Sequence, residues 1–227
     1  MKNIILFKIL SVLIMNVLVM TVHALPGPFE GIITFKITCY DYQNMEYPNS
    51  IFPKELTVTI KGDMAKVEMM TPIGPHIEII NYIDESKITL IKLLNQKFAL
   101  HETASEILEN KKNEPKGQVQ FINETREIAG YSCKKAIVTT ENNGAKSSFD
   151  VWYSDELGGL NSNFDKPLYK DIKGALLEFY LITSQFTFKA TAISIEEKSI
   201  SSQEFDIPFD YPITSKNELK TKLVSKQ

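Results

Sequence analysis

Apolar and polar residues alternate along most of the chain, with the two-residue period that is typical of half-buried β-strands. The first such strand begins near Glu30. Its apolar face carries Ile33, Phe35, Ile37 and Cys39, and polar residues occupy most of the positions between them. The same period returns in segment after segment, separated by short turns such as those at 61–63 and 84–86. The pattern predicts a meander of sequential antiparallel strands, about eleven in all.

One pair of segments, 133–140 and 148–153, is predicted to form a β-hairpin. The connection contains Asn143-Gly144, and Asn-Gly favours tight hairpin turns because both residues tolerate a positive φ. The hairpin carries Trp152, the only tryptophan, and one of the two cysteines. Candidate strands are about equally numerous before and after it. We therefore expect this hairpin to be the central pair of the sheet.

The two-residue alternation of apolar and polar residues is interrupted after His101. Thr103 and Glu106 have the spacing of a capping box, in which a hydroxyl and a carboxylate satisfy free backbone N–H groups at the start of a helix. A short helix near 103–112 is expected there. The later segment 175–182 is strongly apolar, but its length of about eight residues favours a strand. Residues 212–227 are polar and rich in lysine, which predicts a flexible tail.

The predicted fold class is mainly β. So many strands rarely remain one flat sheet, so we expect a curled antiparallel sheet, a half-barrel of about eleven strands with one or two short helices. The concave face of such a sheet must be filled by a helix or by a ligand. The predicted organisation is a signal peptide over 1–24, a single β-rich domain over 25–211 and the polar tail over 212–227.

The first residues have the features of a secretory signal. Lys2 gives a basic start, 9–20 is an uncharged apolar run, and Val22-His23-Ala24 fits a small-x-small cleavage site. The apolar run is short for a membrane span, although an uncleaved N-terminal anchor is the alternative. The segment predicts a periplasmic or secreted protein.

Charge and cysteine content narrow the possible functions. Of the 25 basic and 28 acidic residues, the predicted signal removes only Lys2 and Lys8, which leaves the mature chain at −5. This balance argues against a nucleic-acid partner, because such affinity comes from clustered lysine and arginine. Cys39 and Cys133 are the whole cysteine inventory. They are either a disulfide, which an oxidising compartment permits, or two buried thiols.

The sequence offers little catalytic chemistry. His76 and Glu78 share one strand face and could supply two metal ligands, but no third ligand follows at metal spacing. No Gly-x-Ser-x-Gly elbow is present. Cys133 beside Lys134 and Lys135 is interpreted as a strand cysteine next to solvated lysines. We therefore expect no catalytic residues, no metal and no cofactor, and the hypothesis that the protein is an enzyme ranks last.

Several segments resemble uncharacterised secreted families of Bacteroidota, namely the GLPGLI-type proteins and related domains of unknown function. The segments that carry this resemblance are Phe29-Glu30-Gly31-Ile32, Lys61-Gly62-Asp63, the stretch 128–136, Val151-Trp152-Tyr153 and the stretch 172–178. Where a GLPGLI motif would stand, the chain has Tyr-Lys-Asp-Ile-Lys-Gly-Ala-Leu at 169–176, so the related domain of unknown function is the better match.

Such domains are similar to the LolA/LolB-like fold, a curled half-barrel with helices in its concavity. The resemblance implies an apolar concave face of the kind that holds acyl chains during lipoprotein transport. The first hypothesis is a non-enzymatic envelope module that binds an acyl chain or lipoprotein, with possible peripheral contact with the outer membrane. The residues expected to line the concave face are Phe35, Val67, Met69, Val151 and Tyr153. The alternative is an envelope structural or protein-interaction domain whose concavity is filled by its own side chains.

Overall fold

The computed structural model describes residues 28–39, 52–72, 74–93, 96–112, 114–142, 145–157, 162–183 and 186–224. Within these residues the chain forms twelve strands and two α-helices. In chain order they are β1 (Glu30–Cys39), β2 (Glu55–Lys61), β3 (Met64–Thr71), β4 (Gly74–Asn81), β5 (Ser86–Leu93), β6 (Gln96–Glu102), α1 (Ala104–Lys111), β7 (Gln118–Ile128), β8 (Tyr131–Asn142), β9 (Ala145–Ser154), β10 (Ala175–Ile182), β11 (Thr187–Glu197), β12 (Ile213–Thr214) and α2 (Lys216–Val224). A 3-10 turn over Ser202–Phe205 precedes β12.

The twelve strands form one curled sheet in the order β12-β6-β5-β4-β3-β2-β1-β11-β10-β9-β8-β7. Two antiparallel meanders, β1 to β6 and β7 to β11, meet where β11 pairs with β1. Only the short β12 is parallel to its neighbour, β6. The predicted mainly β class and the curled antiparallel sheet are confirmed.

The predicted hairpin exists, but its expected place was wrong. β8 and β9 pair directly, with Val138 opposite Phe149, while Asn143 and Gly144 of the turn lie outside the described residues. The middle of the sheet is instead formed by β2, β1 and β11. The hairpin lies beside the edge strand β7. The two meanders join where β11 pairs with the distant β1, so these strands occupy the middle of the sheet. No local sequence signal reports such a pairing.

Helix α1 forms where the sequence predicted a short helix, near 103–112, and the predicted capping box is present. The Thr103 backbone N–H donates to Glu106 Oε2 at 2.9 Å, and the Glu106 N–H donates to Thr103 Oγ1 at 3.5 Å. Ile107 is the buried side chain of this helix. The capping box therefore starts the helix, and Ile107 packs it against the rest of the protein.

The last residues depart from the predicted flexible tail. Ile213 pairs with Ala99 of β6, and the Ala99 N–H donates to the Pro212 carbonyl at 3.0 Å. Thr214 is 1 % exposed, and α2 follows it. A polar segment is ordered here because the backbone of β6 offers an open edge, which side-chain polarity does not reveal. The predicted signal peptide, 1–24, lies outside the described residues. Within the described part of the chain, no helix is long and apolar enough to cross a membrane.

The concave face of the sheet is occupied mainly by an irregular stretch of the chain's own residues, 162–174, which we call the covering segment. Phe164 packs edge-on against Tyr82, with ring centroids 6.3 Å apart. The Tyr169 hydroxyl donates to the Tyr180 carbonyl at 2.7 Å and accepts from the Tyr180 N–H at 3.1 Å. Ile172 is 1 % exposed. The concavity is therefore filled by irregular chain where the resemblance implied helices.

Candidate functional site: a cavity under the covering segment

Rows of side chains cross strands β1 to β4 on the concave face. Residues directly opposite one another in antiparallel strands point to the same side of the sheet. The pairing aligns Phe35, Leu56, Met69 and His76 in one row, Ile33, Val58, Val67 and Glu78 in the next, and Ile60, Ala65 and Ile80 in a third. Strand alternation therefore places a largely apolar surface here, with His76 and Glu78 as its polar members on β4.

A cavity of about 190 Å³ lies against these rows. Besides side chains from the rows, it is lined by Tyr82, by Ser162, Asn163 and Lys166 of the covering segment, and by Ala175, Leu176, Phe179 and Leu181 of β10. Ile33, Ile60 and Ile80 are buried, whereas the His76 side chain is 41 % exposed and Met69 is half-buried. The cavity thus extends from a buried end near Tyr82 to a mouth near Met69 and His76.

Four charged residues, Glu78, Lys87, Asp165 and Lys166, connect the sheet to the covering segment, and we call them the charge chain. Lys87 Nζ lies 3.1 Å from Glu78 Oε1 and 4.0 Å from Asp165 Oδ2. Lys166 Nζ lies 2.9 Å from Asp165 Oδ1. His76 Nε2 is 3.4 Å from Glu78 Oε1, on the mouth side. Two carboxylates face two ammonium groups, so the net charge of the charge chain is zero.

The charge chain keeps its members ionised. Burial acts to raise the pKa of Glu78, but the hydrogen bond from His76 and the charge of Lys87 outweigh it and lower this pKa to about 2. Burial likewise opposes ionisation of Asp165, yet the neighbouring Lys166 lowers its pKa. Burial lowers the pKa of Lys87, and Glu78 and Asp165 more than reverse this effect. A carboxyl with so low a pKa is poorly matched to proton transfer near neutral pH.

The structure brings together part of the set of residues predicted to line the concave face. Phe35, Val67 and Met69 all line the cavity. Val151 and Tyr153 do not, because β9 lies beyond β11 and β10 from β1. Val151 is fully buried, and Tyr153 packs against Phe121 with ring centroids 6.0 Å apart. Alternation along a strand is a local property, but the lateral position of a strand in the sheet is not.

Sequence reasoning missed the polar residues of the cavity. Tyr82 follows the last residue of β4, and Asn163 and Lys166 lie in an irregular segment between β9 and β10. Only the tertiary fold lays the covering segment on the first meander. His76 and Glu78 do share a face, as predicted. Among the described residues no group of three or more His, Cys, Asp or Glu is arranged to hold a metal.

The two cysteines are far apart. Cys39 of β1 pairs with Phe188, whereas Cys133 lies on β8, four strands away in the sheet. At about 4.8 Å per strand this is about 19 Å along the sheet, well beyond the roughly 7 Å that a disulfide spans. Both thiols are free. Cys133 is fully buried, and this burial raises the pKa of its thiol to about 11. The sequence left open a disulfide or two buried thiols. The structure has two thiols, of which Cys133 is buried and Cys39 is half-buried.

A family model described as N-glycanase peptide, N-terminal domain, matches residues 42–163, just over half of the 227-residue chain. The chain belongs to this family. The N-glycanase N-terminal domain match takes in β2 to β9 and ends at Asn163 in the covering segment, while β1, β10 and β11 lie outside it. A search of curated proteins found no match. The matching family is neither the GLPGLI-type nor the LolA-like one, so that resemblance stays a prediction.

Proposed function

We propose that this chain is a non-catalytic binding module that holds an apolar ligand in the cavity under the covering segment. The observation that carries the proposal is the cavity itself, about 190 Å³ of space on an apolar concave face. Its walls come from β1 to β4 and β10, which are tied together by backbone pairing, so the site is preformed. Preformed, mostly apolar pockets with a few polar groups are the usual form of small-ligand sites.

The volume limits the ligand. An apolar cavity of about 150 Å³ accommodates a molecule the size of benzene. The cavity therefore suits a small apolar molecule or the terminal part of one acyl chain. The remainder of a longer ligand would leave past Met69 and His76, where the mouth lies. The proposed source is a lipid or lipoprotein of the cell envelope, as expected from the predicted periplasmic or secreted location.

A non-catalytic role is supported by the electrostatics of the site. Glu78 is held as a carboxylate by His76 and Lys87, and Asp165 is held by Lys166. These groups serve to fasten the covering segment, which leaves them poorly suited to acid–base chemistry. The family description names an N-terminal domain of an N-glycanase, and this fits an accessory role beside another functional unit.

Replacing Met69 with Asp should abolish ligand retention, because a carboxylate at the mouth would have to lose its hydration when an apolar chain enters. The neighbouring Met70→Asp is a matched control, since Met70 points to the other side of β3 and is 67 % exposed. Native mass spectrometry of residues 25–227, purified from a bacterial periplasm, measures the outcome. We expect a co-purified mass of several hundred daltons on the wild type and on Met70→Asp, and its loss from Met69→Asp.

Thermal unfolding of each variant separates loss of ligand from loss of fold. Equal retention by Met69→Asp and Met70→Asp, with both variants folded, would contradict the proposal. A wild-type protein that carries no ligand and gains none when incubated with short-chain lipids would also count against it.

The second candidate is an envelope structural or protein-interaction domain with a self-filled concavity. It is supported by the covering segment, in which Tyr169 and Ile172 are buried in the core. On this hypothesis the cavity is a packing defect, and partners would contact the first half of the free edge of β7. This second candidate would be favoured if the wild-type protein showed no bound ligand by native mass spectrometry and captured a specific envelope protein.

A further inference from the structure

Two side-chain oxygens on residues that line the cavity have no hydrogen-bond partner among the described residues. They are the hydroxyl of Tyr82 and the side-chain oxygen of Asn163. Tyr82 is 8 % exposed and Asn163 is 4 % exposed. Both residues are thus more than nine-tenths buried yet border the cavity, so their unpaired oxygens are available to a ligand held there.

The hydrogen bonds of Asn163 determine which of its atoms is available. Asn163 Nδ2 donates to the carbonyls of Ile172 at 2.8 Å and of Gly174 at 3.1 Å. Both carbonyls can only accept, so the nitrogen must face them and the amide cannot be turned over. Oδ1 is therefore the atom that Asn163 offers to a ligand, and Oδ1 is purely an acceptor.

Both oxygens remain accessible. Thr140 Oγ1 is the one buried side-chain polar atom of the described residues that is sealed off without a partner. The Tyr82 and Asn163 oxygens are not sealed in this way, although both residues are more than nine-tenths buried. The open space that both residues border is the cavity.

From this geometry, and resting on the proposed binding function, we infer that the ligand enters with a neutral group that both donates and accepts a hydrogen bond, an alcohol or a secondary amide, facing Tyr82 and Asn163. The ligand's O–H or N–H donates to Asn163 Oδ1. Its oxygen accepts from the Tyr82 hydroxyl. The alkyl part packs against the apolar rows of β1 to β4.

The same atoms disfavour other ligand classes. Esters, ethers and carboxylates have no hydrogen to donate, so they would place a second acceptor against Asn163 Oδ1 and leave it desolvated. An ammonium group would need a free carboxylate, but Glu78 and Asp165 already face Lys87 and Lys166. A charged group would also lose its hydration in an apolar space without compensation.

Two matched ligand pairs test this inference by isothermal titration calorimetry on the wild-type protein. Hexan-1-ol and methyl pentyl ether are isomers that differ in the donor hydrogen. N-methylpentanamide and methyl pentanoate have the same skeleton, but the amide has an N–H group where the ester has an oxygen. We expect the donor-bearing member of each pair to bind about 10-fold tighter or more, since a buried acceptor left unpaired is costly.

Tyr82→Phe provides a second test that keeps the shape of the cavity. Both members of each pair have an acceptor oxygen, so loss of the tyrosine donor should weaken both by a similar factor, roughly 5-fold. The preference for the donor-bearing member should persist, because it comes from Asn163. Thermal unfolding confirms that the variant is folded. Asn163 itself is left unchanged, since its own donors hold the covering segment.

The outcomes separate the two proposals. Equal affinity within each pair would overturn the inference and leave the binding module standing. Undetectable binding of all four compounds would overturn both. Unchanged affinities in a folded Tyr82→Phe variant would remove Tyr82 from the site and overturn the inference.

Discussion

The turn between β7 and β8 places its backbone in the left-handed region. Ile128 pairs with Tyr131, and the two residues between them have positive φ, 49° at Ala129 and 86° at Gly130. Only glycine adopts such angles without steric cost, so Gly130 suits its position and Ala129 is strained. The geometry of the turn thus explains why a glycine stands at position 130. This explanation does not depend on any ligand of the cavity.

Opposite substitutions in this turn should have opposite effects. Gly130→Ala should lower the free energy of unfolding by about 1 kcal/mol, and Ala129→Gly should leave it unchanged or raise it, because strain at φ 49° is relieved. A Cβ at Gly130 would meet no atom within 4 Å, so the effect of the first change is conformational. Urea unfolding followed by tryptophan fluorescence measures both. An equal loss of stability in the two variants would contradict this explanation.

At the scale of elements, the charge chain decides how the covering segment stays on the sheet. Glu78 and Lys87 belong to the paired strands β4 and β5, whereas Asp165 and Lys166 belong to the covering segment. The contact of Lys87 with Asp165 therefore connects the sheet to a segment that does not pair with β5. The Lys111 ammonium on α1 also contacts the backbone carbonyl of Asp165. Loosening this connection should therefore loosen the cover of the cavity.

The free energy of unfolding should fall as the pH drops from about 4.5 towards 2. The pKa of Glu78 is lower in the folded state, about 2, than its ordinary value of 4.5, so its stabilising contribution is present above pH 4.5 and is lost as pH falls through the folded pKa. By this linkage the contribution is up to about 3 kcal/mol. Asp165, whose pKa is also lowered, adds to the slope at acid pH.

Urea unfolding at several pH values compares the wild type with Glu78→Gln. The variant should lose stability at neutral pH and show a shallower dependence between pH 4.5 and 2. Glu55→Gln, on the exposed end of β2, serves as the control and should follow the wild-type curve. Parallel curves for Glu78→Gln and the wild type would mean that Glu78 does not fasten the segment.

For the whole molecule, the two ends of the open sheet matter most. One end is β7, whose second half carries Glu124, Arg126 and Glu127, charges that discourage pairing with other chains. At the other end the short β12 pairs with β6 and covers part of its edge. The C-terminal residues thus protect a strand from which they are distant in sequence.

Deleting residues 212–227 should uncover the edge of β6, lower the midpoint of thermal unfolding and promote self-association. The physical reason is that unpaired backbone groups on an open strand edge bind other strands. Size-exclusion chromatography with light scattering measures association, and deletion of 225–227 alone is the matched control, because β12 and α2 stay intact. A monomeric, equally stable deletion variant would show that β12 is dispensable.

The sequence by itself determined what depends on neighbouring residues. Alternation predicted the strands and which side chains share a face, so Phe35, Val67 and Met69 fall on one surface, and the Thr103–Glu106 pair predicted α1. These features are local because strand and helix periods and caps involve residues a few positions apart.

Only the tertiary structure decided which strands became neighbours and what covered them. The pairing of β1 with β11 placed the hairpin next to the edge strand β7 and left Val151 and Tyr153 away from the cavity. It also kept Cys39 and Cys133 apart. The covering segment brought Asn163 and Lys166 to the cavity. Each of these outcomes is a contact between residues distant in the chain, and hydrophobic periodicity contains no information about which distant partner a strand or loop will meet.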